Sequence, residues 1–175
     1  TVLWTGANGT LGSDPTLTLT PETVAPGEVV TCTLTVSDVE GASVTQTATI
    51  TLDNQPPTVS SVTVTGDATN DALLTCSVDA TDPDAEELST TYQWINLTTG
   101  TQLGTSSTLQ LDATLASAGS EISCEATVED AAGDVDAGSG SLVLNNRAPS
   151  LSVALDKAEI PNDGTITCTA TAADP

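Results

Sequence analysis

Glu121-Ile122-Ser123-Cys124-Glu125-Ala126-Thr127-Val128 alternates polar and apolar residues without a break. A strand turns successive side chains to opposite faces, so Ile122, Cys124, Ala126 and Val128 share one face. The same pattern occurs in Leu73-Leu74-Thr75-Cys76-Ser77-Val78-Asp79-Ala80, where Leu74, Cys76 and Val78 share a face. Both stretches read as strands buried on one side. Further alternating runs, bounded by turn residues, fall near Val59–Thr65, Thr91–Ile95, Thr108–Leu111 and Gly140–Leu144. In chain order the six are strands A, B, C, E, F and G, and no segment carries a convincing helical period. About seven short strands in roughly 90 residues make a two-sheet sandwich.

The pattern repeats along the chain. Thr58 to Pro83 matches Ser150 to Pro175 without a gap, with Leu74-Thr75-Cys76 on Ile166-Thr167-Cys168. The offset is 168 − 76 = 92, and the other cysteines agree, 124 − 32 = 92. Trp4 matches Trp94, and Thr16-Leu17-Thr18-Leu19 matches Thr108-Leu109-Gln110-Leu111. The linkers recur as Leu52-Asp53-Asn54-Gln55-Pro56-Pro57 and Leu144-Asn145-Asn146-Arg147-Ala148-Pro149. The expected organisation is the C-terminal half of one repeat (strands C to G) over 1–54 and a complete repeat over 55–146. The N-terminal half of a third, strands A and B, follows over 147–175.

Composition narrows the function classes. Of 175 residues, 24 are Asp or Glu, against only Arg147 and Lys157, for a formal charge of −22. That charge repels phosphate backbones and anionic membrane surfaces, so no nucleic-acid partner is expected. It favours divalent cations instead. Disorder does not fit a chain that is 38% hydrophobic in alternating register. No apolar run is long enough to span a bilayer, and no membrane insertion is expected in this segment. The chain opens on Thr1-Val2-Leu3-Trp4 and reads as a mature piece or a fragment.

The order Cys76…Trp94…Cys124 resembles the immunoglobulin superfamily. The approach to the second cysteine, from Leu111 to Cys124, looks like that family's E–F corner, with Ile122 and Val30 where it places a tyrosine. The whole chain is similar to the Thr- and Asp-rich immunoglobulin-like or cadherin-like tandem repeats of large bacterial extracellular surface proteins. The resemblance implies an all-β fold of tandem immunoglobulin-like β-sandwiches, with split half-domains at both chain ends. Trp4 and Trp94 take equivalent core positions. Cys76 and Cys124 are expected to form an intra-repeat disulfide, the other state being two buried thiols. Cys32 and Cys168, on an F and a B strand, would bond between subunits or to adjacent repeats. Either the chain is a window on a longer array, or 147–175 of one copy completes 1–54 of the next. Both give a linear assembly of copies or adjacent repeats.

Acidic loops supply the other candidate site. In a sandwich the B–C and F–G loops lie beside the incoming linker. Here those loops hold Asp82, Asp84, Glu86 and Glu87, then Asp130, Asp134 and Asp136, and the linker holds Asp53 and Asn54. Of these, Asp53, Asn54, Asp82, Asp84, Asp130 and Asp134 are the candidate calcium ligands, in a layout that resembles cadherin linkers. Solvated turn residues are the plainer reading of the same side chains.

No enzyme is expected. The chain has no His, so Ser–His and Cys–His nucleophile systems are excluded, and zinc is disfavoured because its cysteines lie one per strand. Gly138-Ser139-Gly140 lacks a lysine and is placed at a strand entrance, not in a phosphate cradle. Sequons stand at Asn8-Gly9-Thr10 and Asn96-Leu97-Thr98. The expected function is a structural array, extracellular or at the cell surface, that forms a stalk or filament. The alternative is an adhesin module that binds a protein or glycan partner through its loop end.

Overall fold

The computed structural model describes residues 1–174; Pro175, the last residue of the repeat alignment and of the 147–175 segment, lies outside the described residues. The fold is all-β, in antiparallel sheets consistent with a β-sandwich, and among the described residues there is no helix. Two compact units form. One comprises Thr1–Ser61, Val78–Thr91 and Ala126–Gly138, and the other Val62–Ser77, Tyr92–Glu125 and Ser139 onward.

Residues 1–54 build one four-stranded sheet from β1 (Val2–Gly6), β2 (Gly9–Gly12), β3 (Val29–Ser37) and β4 (Ser43–Thr51), in the order β2-β1-β3-β4. A two-residue turn, Ala7-Asn8, joins β1 to β2, and the register shifts just after Trp4. Such a bulge bends the strand and re-aims its side chains. The indole N–H of Trp4 donates to the Asp14 carbonyl at 2.9 Å.

The next stretch contributes two sheets. β5 (Thr58–Thr65), β6 (Leu73–Thr81) and β9 (Thr108–Gln110) form one, in that order. β7 (Ser89–Asn96), β8 (Thr101–Gly104), β10 (Glu121–Glu129) and β11 (Val135–Val143) form the other, in the order β11-β10-β7-β8. Trp94 is fully buried among Leu74 and Cys76 of β6, Leu109, and Ile122 and Cys124 of β10. Cys76 and Cys124 are bonded, so the disulfide joins the three-stranded sheet to the four-stranded one. Burial of a large aromatic and aliphatic cluster supplies the main driving force for closure.

The four-stranded sheets share details as well as strand order. The register shifts after Trp94 as it does after Trp4, and Trp94 Nε1 donates to the Ser106 carbonyl at 2.8 Å. Asp14 and Ser106 stand 92 apart, whereas the tryptophans stand 90 apart (94 − 4). The two extra residues sit in the β7–β8 turn, Leu97 to Gly100, where Gly100 takes φ 74°. Gly27 N–H donates to the Leu52 carbonyl, and Gly119 N–H to the Leu144 carbonyl, again 92 apart.

β12 (Ser150–Leu155) and β13 (Cys168–Ala173) form a separate two-stranded sheet, in which Leu155 faces Cys168.

Several boundaries differ from expectation. Strand G, expected from Gly140, is β11 and begins at Val135, because the loop before it is a tight turn with Gly133 at φ 93°. Asp136 and Gly138-Ser139-Gly140 therefore lie within the strand rather than in a loop or at its entrance. Gly140 permits a close approach there, since a Cβ would stand 2.5 Å from the Val62 carbonyl oxygen. β8 was not expected at all. Thr16–Leu19, expected to match the β9 run, is not a strand, because β9 pairs with β6 and residues 1–54 contain no counterpart of β6. Trp4, expected in a core position, is only half-buried for the same reason.

Candidate metal centre

β6 is followed by Asp82-Pro83-Asp84-Ala85-Glu86, which folds back on itself. Asp82 Oδ1 accepts the backbone N–H of Asp84 at 2.7 Å and of Glu86 at 3.5 Å. Ala85 takes φ 59°, a conformation that costs an ordinary L-residue about 1–2 kcal/mol. The turn thus brings Glu86 back beside Asp82 at the expense of local strain.

The loop between β10 and β11 is closed by its own ends. Asp134 N–H donates to Asp130 Oδ1 at 2.8 Å, and Asp130 N–H donates to the Asp134 carbonyl at 3.0 Å. From the linker, Asn54 Nδ2 donates to Asp130 Oδ2 at 2.9 Å and to Asp134 Oδ2 at 2.8 Å. The next residue, Gln55, gives its backbone N–H to Asp84 Oδ2 at 2.7 Å. One linker dipeptide therefore ties both acidic loops together.

Asp82, Glu86 and Asp130 each place a carboxylate oxygen within 4.8 Å of the others. Asp130 is buried, and Asp82 and Glu86 are half-buried. Three buried oxygens here have no hydrogen-bond partner: Asn54 Oδ1, Asp82 Oδ2 and Glu86 Oε2. Buried polar atoms are nearly always satisfied, so three orphans in one cluster call for a cation or a proton. Burial pushes the Glu86 carboxyl up, and the charges of Asp130, Asp82 and Asp84 push it further. Burial also raises Asp130, but the Asn54 amide and the N–H groups of Asp134, Gly133 and Ala132 outweigh it and hold Asp130 low.

The expected ligands thus separate. Asp82 and Asp130 belong to the cluster, Asn54 donates to Asp130 beside it, Asp84 is turned to Gln55, and Asp134 accepts from Asn54 at the exposed rim. Asp53 is exposed and lies outside the three-carboxylate group. Glu86 is one of the loop acids but lies outside the six expected ligands. Its signal was the four-residue step from Asp82, which the turn converts into proximity. The three carboxylates fit a hard, oxygen-seeking ion, because together they make a partial calcium shell.

Elsewhere, Asn96 is buried, with its amide donating to the Leu115 carbonyl and its oxygen accepting from Thr98 and Thr99. The Asn96 sequon is thereby closed to a glycan, whereas Asn8 is exposed on its turn. At the second linker, Arg147 pairs with Asp71 at 3.1 Å and donates to Asn70 at 3.1 Å. An exposed pair of this kind contributes little. Cys32, half-buried, and Cys168, exposed, are the free cysteines among the described residues. No helix among these residues is long and apolar enough to cross a membrane. No protein-family model and no curated protein matches the chain.

Proposed function

We propose that the chain is a structural element, a stretch of an extracellular array of immunoglobulin-like repeats that forms a stalk or filament. The observation that carries this reading is the recurrence of one four-stranded sheet, β2-β1-β3-β4 and β8-β7-β10-β11, with its bulge and its tryptophan hydrogen bond. A repeated scaffold with one bridged core suits load-bearing, since a disulfide between sheets limits how far a domain can extend. A disulfide also fits an oxidising compartment. In this reading a divalent cation, calcium by its ligand chemistry, sits among Asp82, Glu86, Asp130 and Asn54 and stiffens the first linker. There it neutralises the carboxylates and satisfies the orphaned oxygens.

Single-molecule pulling tests the mechanical role. Oxidised chain should rupture in discrete events, and reduction should lengthen the extension of the 55–146 repeat by roughly 170 Å, the reach of the 48 residues behind the bridge. Featureless extension would sink the proposal. For the cation, millimolar calcium should raise the melting temperature relative to a chelator, and Glu86→Gln should abolish that gain. If the wild type melts identically in both, a proton rather than a metal satisfies the cluster.

A further inference from the structure

Asn8-Gly9 is the only Asn-Gly pair in the chain. We infer that it is a site of spontaneous covalent modification, at which Asn8 loses its amide and the β1–β2 turn gains a carboxylate. Asn8 is the second residue of the Ala7-Asn8 turn and is exposed. Gly9 has no Cβ to crowd its nitrogen, and a Cβ placed there would meet nothing within 4 Å. The turn itself demands this glycine, because it holds φ 117°, which L-residues with a side chain rarely adopt. Gly6 and Gly9 form the last pair of the β1–β2 ladder, so fraying of one pair at the hairpin's end is all the opening the attack requires.

The chemistry balances with water alone. The Gly9 nitrogen attacks the carbonyl carbon of the Asn8 side chain and closes a five-membered succinimide. The amide nitrogen leaves as ammonia, taking the proton of the Gly9 N–H. Water then opens either carbonyl of the ring. Attack on the side-chain carbonyl leaves an aspartyl residue in a normal backbone. Attack on the main-chain carbonyl leaves an isoaspartyl link, which lengthens the backbone by one carbon.

The structure separates Asn8 from other asparagines. Asn96 is buried and donates to the Leu115 carbonyl, and the N–H that would attack it, from Leu97, is held by the Glu121 carbonyl at 2.8 Å. The Asn54 amide is held by Asp130 and Asp134, and the N–H of Gln55 by Asp84. The β7–β8 turn also needs a residue with positive φ, Gly100 at 74°, but sets Thr99 before it, and threonine has no amide. That turn, Leu97 to Gly100, is exposed even though β5 and β6 lie opposite its sheet. Exposure of Asn8 therefore belongs to the turn and not to the missing strands.

Modification would act on a specific contact. Glu28 ties the turn to the segment before β3: its Oε1 accepts the Ala7 N–H at 3.0 Å and its Oε2 the Ala25 N–H at 2.8 Å. Asn8, Glu22 and Glu28 line one groove. A carboxylate at position 8 adds a like charge beside two others, and the isoaspartyl form also breaks the pairing of Gly6 with Gly9. Both products loosen the turn from Glu28.

The test incubates the 175-residue chain in warm, mildly alkaline buffer, with peptide mapping by mass spectrometry and enzymatic methylation of isoaspartyl sites. Position 8 should convert to a mixture of aspartyl and isoaspartyl products while Asn54 and Asn96 keep their amides. In the converted fraction the Ala7 amide should lose its protection from hydrogen exchange. Asn8→Gln should abolish the conversion. Thr99→Asn, which writes Asn-Gly-Thr into the β7–β8 turn, should add a second site. A folded chain that keeps its Asn8 amide overturns the inference, and conversion in urea alone would show that the turn protects the site. Conversion of Asn54 or Asn96 before Asn8, or a Thr99→Asn chain that converts only at position 8, refutes the assignment to an exposed turn. Unchanged Ala7 exchange refutes the loosening.

Discussion

The four-stranded sheet of residues 1–54 and the one containing β10 have the same strand order, the same bulge and the same tryptophan hydrogen bond, yet only one of them has a core. Trp94 is fully buried and Trp4 is not; Cys124 is bonded and Cys32 is free. The strands, turns and corners follow from local pattern and therefore recur wherever the pattern recurs. Burial does not, because it belongs to the facing sheet. Residues 55–146 contain β5 and β6 opposite β10 and β7, and residues 1–54 have no such pair.

The largest effect should come from truncating the two tryptophans. Trp94→Ala removes a fully buried side chain and should cost roughly 3–5 kcal/mol in urea unfolding. Trp4→Ala removes a half-buried one with the same kind of hydrogen bond and should cost less than half as much. Equal costs would break the comparison, because they would mean that β1 and β3 are covered in solution. The cysteines sharpen it next. Converting both Cys76 and Cys124 to Ala should cost about 4 kcal/mol, from the loop entropy of the 48 residues they enclose. Cys32→Ser in a monomeric chain should stay within about 0.5 kcal/mol, as surface substitutions do. Chemical denaturation of the monomeric chain, monitored by tryptophan fluorescence, reads both.

Strand period and cysteine spacing made most of this fold legible. Strands β5, β6, β7, β9 and β10 fall within two residues of their expected bounds, and Cys76 bonds Cys124 as the resemblance implied. The errors have specific causes. β8 was missed because Thr101–Gly104 is short and follows a bulge that breaks the alternation at Trp94. β11 was shortened because Asp136 and two glycines do not look like a strand, although Asp136 is placed there by the N–H of Val59 and Gly140 by the nearness of β5. In the acidic site, Asp82, Asp130 and Asn54 could be read from loop position. Glu86 could not be separated from Glu87, nor Asp84 from Asp82, because the left-handed Ala85 decides which carboxylate turns inward.

The smallest expected effect is a titration that only the middle repeat should show. Asp136 Oδ2 accepts the Val59 N–H at 2.7 Å, and this bond, with the Ala137 N–H, holds its carboxyl below the ordinary range against a weaker push from burial. A carboxyl lowered in the folded state adds stability above its unfolded pKa and loses that addition as pH falls through the folded value. Glu86 has the opposite sign. Its raised carboxyl favours the protonated form, so acidification through its range stabilises the metal-free protein before Asp136 and Asp130 begin to destabilise it. In chelator, the melting temperature should therefore rise slightly as pH drops from neutral and then fall. Asp136→Asn should lower it at neutral pH and flatten the acid limb, since an amide oxygen accepts the Val59 N–H more weakly but does not titrate. At the same offset, 136 − 92 = 44, residues 1–54 carry Val44 rather than a carboxylate, and no covering strand lies beside it to donate. An acid limb that survives Asp136→Asn unchanged would move the titration to the other lowered carboxyls, Asp71, Asp112 and Asp130. Asn54→Ala would then test the share of Asp130, because the Asn54 amide helps to hold that carboxyl low.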